Sequence, residues 1–159
     1  MDPDFMKNYE AKIDAMIAEH GQTVQAVFGN EEEHAYAYSV GRAEQGKAEL
    51  IAFMLHPAQL HYLIKEVSVA IDSGSAKAAA GERISIGEIT VRLADAYGAQ
   101  VTHMKQCPNR LARVGKEPMF EAIQIIWPDE NGKFPDEEGY REKLRQPIYE
   151  NELAPRRTH

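Results

Sequence analysis

Glu49-Leu50-Ile51-Ala52-Phe53-Met54-Leu55-His56-Pro57 is the stretch on which the fold turns. The run from Glu49 to Leu55 is strand-length and apolar on both faces, which predicts a strand covered on both sides. Pro57 follows at once, and proline suits the first helical position, where the amide it lacks would have no partner. Leu60, Leu63, Ile64, Val67 and Ile71 then recur at helical spacing until Ser73-Gly74-Ser75 ends the run. A strand buried on both faces that runs straight into an amphipathic helix predicts helices packed on a sheet.

Upstream, Thr23 to Phe28 and Ala35 to Val40 are also strand-length. Gly29-Asn30 and the acidic run Glu31 to Glu33 separate them, and a loop holding Gly41 and Gly46 precedes Glu49. Three such segments between turn residues predict an antiparallel meander. Before them, Tyr9, Ile13, Met16, Ile17 and His20 share one face of a helix from about Asn8 to His20, with Gly21 as its C-terminal cap. The opening Met1 to Met6, with its second methionine, reads as a leader before a start at Met6.

Downstream, Ala76 to Gly81 reads as a mobile loop. Ile84 and Ile86, then Ile89, Val91 and Leu93, alternate with polar residues about Gly87, as one bent strand or a hairpin. Between residues 98 and 118 the pattern is weak, with strand at Val101 to Met104 and a helical turn at Asn109 to Val114. Ala122 to Trp127 is an apolar strand closed by Pro128-Asp129, and the remainder to His159 is polar and irregular. The expectation is one α+β domain over residues 7–150, followed by a polar tail at 151–159. Its mainly antiparallel sheet packs against two main helices, and partial closure into a barrel is left open.

Composition narrows the function classes. The 159 residues carry 18 Lys plus Arg against 25 Asp plus Glu, a net charge of -7, which disfavours nonspecific binding to nucleic acid. Cys107 is the single cysteine, so neither an intrachain disulfide nor a cysteine-based zinc cage can form. No apolar run approaches the length of a membrane span, and the N-terminus lacks the order of a secretory signal, so the cytoplasm is the expected location. The histidines show no spacing suited to metal, and no native metal is expected. G-x-S-x-G, Walker and G-x-G-x-x-G motifs are missing, which removes the signatures of standard hydrolase, P-loop and Rossmann chemistry.

Several stretches in order carry a family resemblance. They are His20-Gly21, Tyr36 to Gly41, Ala48 to Phe53, Ala122 to Asp129, Gly132-Lys133-Phe134-Pro135 and Gln146-Pro147. Together they resemble the bacterial and phage family catalogued as domain of unknown function 4262, over about Glu19 to Ile148. Gln22 and Asp136 stand where that family usually has tryptophan, and Ser39 replaces its threonine. The resemblance implies domain boundaries and motif residues, and no activity.

Candidate site residues follow from the motifs. Asp129 either shapes its turn through backbone amides or serves as an acceptor at a pocket mouth, with Trp127 as the apolar wall. Gln124 interrupts an apolar strand, so its amide requires partners, from neighbouring backbone, Tyr38 or a ligand. Tyr36 and Tyr38 share a strand face, and with Ser39 they suit packing or a ring or phosphate contact. Gln146 returns late in the chain.

Two readings follow. In the first, the domain is a non-catalytic accessory module that docks on a macromolecule. In the second, it holds a small molecule, flavin-like or nucleotide-like, at the ends of the central strands, whether as enzyme or sensor. The second admits a homodimer with a layout like the flavin-binding split barrel. The sequence names no cofactor.

Overall fold

The computed structural model describes residues 3–29, 35–96, 103–141 and 146–149. Helix α1 spans Pro3–His20 and is followed by strands β1 (Thr23–Val27) and β2 (Tyr36–Val40). A single 3₁₀ turn at Ala43–Gln45 leads to β3 (Glu49–Phe53), α2 (Pro57–Asp72), β4 (Arg83–Ile86) and β5 (Ile89–Asp95). Helix α3 (Gln106–Arg113) and β6 (Ala122–Ile126) complete the order.

The six strands form one open sheet in the order β1-β2-β3-β6-β5-β4. All neighbours are antiparallel except β3 and β6, which run parallel at the centre. The meander from β1 to β3 is therefore as expected. The sheet does not close into a barrel, because β1 and β4 are its two outer strands. Helix α2 carries the chain from β3 to the far outer strand β4, and β6 enters last, between β3 and β5.

Every residue of β3 is buried, because both faces of the sheet are covered. On one face Leu50 and Ala52 pack with Leu60, Leu63, Ile64 and Val67 of α2. On the other, Ile51 and Phe53 pack with Ile13 and Ile17 of α1, Met104, and Cys107 of α3. Arg113 of α3 ties the two helices on that face together through Asp14 at 2.7 Å and Glu10, while Arg110 reaches Asp14 and Glu44.

Local chemistry accounts for the element ends. His56 caps α2 by accepting from the Ala58 amide at 3.2 Å, while Gln59 accepts from the His56 amide at 3.1 Å and Pro57 opens the helix. Helix α1 begins earlier than its periodicity predicts. Pro3 and Asp4, set aside as leader, are favourable first-turn residues and lie within it.

Gly87, at a φ of 59°, lies in the turn of a β4–β5 hairpin, which settles the choice between hairpin and bent strand. The 76–81 segment is a run of turns, bonded from Ala76 N to Ala70 O and from Gly81 N to Leu93 O. The expected strand at 101–104 falls partly outside the described residues, and its His103–Met104 end is not strand. The helical turn expected at Asn109 to Val114 belongs to α3, and the acidic run 31–33 lies outside the described residues.

Candidate functional site

Because β3 and β6 are parallel, their carboxyl ends lie at the same end of the sheet, beside the start of α2. The Trp127 indole donates to the Phe53 carbonyl at 2.7 Å and fastens the two strand ends together. Gln146 accepts from the Trp127 amide at 3.2 Å and donates to its carbonyl at 2.6 Å, as a neighbouring strand would. Gln124, fully buried, donates to the Pro147 carbonyl and accepts from the Tyr149 amide at 3.0 Å. Two glutamines thus hold residues 146–149 onto the sheet. Asp129 accepts from the amides of Asn131, Lys133 and Arg141 at 2.8 to 2.9 Å. Burial opposes its charge, but the Lys133, Arg141 and Asn131 amides prevail and hold its carboxyl below the usual range.

Four of the seven expected site residues are therefore close in the fold: Gln124, Trp127, Asp129 and Gln146. Their polar groups bond the chain's own backbone. Trp127 also stands as an apolar wall of a groove of about 420 Å³, with Leu55, Tyr62, Leu63, Ile86 and Ile89.

Of the β2 residues, Tyr36 pairs with Phe53 near this same end of the sheet, Tyr38 pairs with Ile51, which in turn pairs with Gln124, and Ser39 lies toward the other end. Tyr36 donates to the His103 carbonyl at 3.2 Å, and its ring packs on Phe53 and His103. Tyr38 accepts from the Gln106 amide, and burial raises its phenol pKa. Ser39 donates to Glu49 and accepts from the Leu50 amide, both at 2.8 Å.

The opposite end of the sheet holds a cluster that motif reading passed over. Glu49 is 1% exposed, and its carboxylate accepts from Ser39 and from the amides of Gly41, Arg42 and Ala43 at 2.8 to 3.2 Å. The turn that presents these amides needs Gly41, whose φ is 110°. A Cβ there would meet Gly21 O and Ile17 Cγ1 at 3.0 Å.

The Arg42 guanidinium, also 1% exposed, points the other way. It binds Asp72 through two bonds of 3.0 Å, Gln22 at 3.0 Å and the Ala48 carbonyl at 2.9 Å. Gln22 donates on to Ser68 at 3.1 Å, and Ser68 to the Ile64 carbonyl at 2.7 Å. The available signal was Glu49 itself, a carboxylate at the head of a strand read as buried, since a buried carboxylate requires donors.

On this network stands a cleft of about 660 Å³ between the end of α1, the start of β1 and the length of α2. Met16, Val24 and Val69 supply apolar wall, with His20, Gln22, His61, Lys65, Ser68 and Asp72 among the polar groups. Of the other histidines, His56 caps α2 and His103 packs among aromatic rings. No group of three or more His, Cys, Asp or Glu that could hold a metal ion occurs among the described residues. Among them, too, no helix is long and apolar enough to cross a membrane. Cys107 is buried and donates to the Ser39 carbonyl at 3.2 Å; burial, then the nearby Glu49 charge, pushes its thiol pKa up.

An open, mostly antiparallel sheet with a parallel central pair, helices on both faces and a polar-floored cleft at one end defines an α+β domain. The chain belongs to the family described as Domain of unknown function (DUF4262), whose model matches residues 16–141. Neither a curated protein nor a solved structure matches it. The three positions read as departing from the family pattern are all anchored by hydrogen bonds: Gln22 to Ser68, Ser39 to Glu49, and Asp136 to Arg92 at 2.9 Å.

Proposed function

We propose that this domain is a binding module whose ligand is a small molecule seated in the cleft between α1, β1 and α2. The observation that carries the reading is the cleft itself. Its volume of about 660 Å³ suits a small organic ligand, and it joins apolar wall to a few polar groups on a hydrogen-bonded floor. Ser68, the buried hydroxyl there, already donates to Ile64 and accepts from Gln22, which favours positioning over nucleophilic attack. Native mass spectrometry of the purified chain is expected to show a small-molecule adduct. Val69→Trp, which fills the cleft from a residue 55% exposed, is expected to remove the adduct without lowering Tm. An adduct that survives this substitution places the ligand elsewhere.

A second reading, docking on a macromolecule, is favoured by the groove beside Trp127, where Tyr62 is 52% and Ile89 39% exposed. A second copy of the chain is the simplest partner. In that case sedimentation shows a dimer that Tyr62→Glu abolishes, with the adduct unaffected.

A further inference from the structure

We infer that the cleft selects an organic anion, a carboxylate carried on an aliphatic body, and that Lys65 is its anchor. The inference rests on the cleft being a ligand site and adds the class of ligand. The chain as a whole carries a net charge of -7 and would repel such a molecule, so any attraction must be local.

Local charge does favour it. Asp72 is the one carboxylate among the lining residues, and it is already matched. Arg42 holds both its oxygens at 3.0 Å, and Lys47 stands 3.4 Å from one of them. Lys65 is the one lysine or arginine among the described residues that line the cleft, and because Arg42 and Lys47, outside the lining, already pair with Asp72, its charge is left for a ligand.

Arg42 is buried behind the wall, where water screens its charge poorly. His61 and Lys65 lie one helical turn apart on α2, both line the cleft, and neither side chain makes an ion pair or hydrogen bond among the described residues. His20 is partly engaged, with Glu19 at 3.6 Å, both of them more than half exposed. The negative C-terminal end of α2 also meets the cleft, but three of its last four carbonyls are taken: Ser73 N bonds Val69 O, Gly74 N bonds Ile71 O and Ala76 N bonds Ala70 O. A carboxylate head at Lys65 and His61 leaves Met16, Val24 and Val69 for an aliphatic chain, and methionine adapts readily to such a chain.

The test compares octanoate with octan-1-ol, of equal chain length, by titration calorimetry on the full chain. Octanoate is expected to bind more tightly by about tenfold, the scale of one charge-assisted hydrogen bond. Lys65→Ala should erase that preference, and Val69→Trp should abolish binding of both. Equal binding of the two probes overturns the anion inference and leaves the cleft as a ligand site. A preference that survives Lys65→Ala removes Lys65 as the anchor. Binding untouched by Val69→Trp overturns the inference together with the reading on which it rests, whereas failure of both probes to bind overturns the ligand class alone if the native adduct is cleft-dependent.

Discussion

Glu49 sits where two effects oppose each other. Burial raises its pKa, and the Ala43 amide, the Ser39 hydroxyl and the Arg42 and Gly41 amides lower it, leaving it pushed up to about 7 from 4.5. The folded chain therefore holds this proton more tightly than the unfolded chain. The stability it contributes is full below 4.5 and is lost as pH rises toward 7, with no further change above. Urea unfolding at pH 5 and pH 8 should show a drop in stability that is smaller in Glu49→Gln; equal drops in the two proteins would remove Glu49 as the source. Asp72 behaves oppositely. Burial opposes its charge, but Arg42 and Lys47 hold its pKa low, so its contribution is lost only as pH falls below the ordinary carboxylate range.

Among the elements, the 146–149 segment has neither helix nor strand, yet Gln124 and Gln146 fix it to β6 and Trp127 through four hydrogen bonds. Gln146→Ala leaves the Trp127 amide and carbonyl without their side-chain partner. The expected loss is about 1–3 kcal/mol, the scale of buried groups left unsatisfied. Trp127 fluorescence should shift to the red as water reaches the indole; an unchanged spectrum and Tm would mean that the segment holds without this glutamine. Gln124 was legible as a buried amide in need of partners. Its partners were not, because they lie 23 and 25 residues further on in a stretch without periodicity.

At the scale of the molecule, β3 belongs to both cores, with Leu50 and Ala52 facing α2 and Ile51 and Phe53 facing α1 and α3. Ile51→Ala is expected to cost about 2–5 kcal/mol, the range for a truncated core aliphatic. Because one strand joins the layers, helix content by far-ultraviolet dichroism and Trp127 fluorescence should fall in a single transition. Two separated transitions would mean that the two cores unfold independently.

The sequence alone determined the elements whose signals are local. The meander, the α2 stripe opened by Pro57 and the strand character on either side of Gly87 follow from side-chain period and turn chemistry, whereas the pairing of β4 with β5 as a hairpin came from the structure. Tertiary structure alone decided that β6 lies parallel to β3, that the sheet stays open, and that Arg42, Gln22, Ser68 and Asp72 meet under one cleft. The physical reason is distance along the chain: Arg42 reaches 30 residues to Asp72 and 20 back to Gln22. Such partners leave no periodic trace, and only the packing of α2 across the sheet brings them within hydrogen-bonding reach.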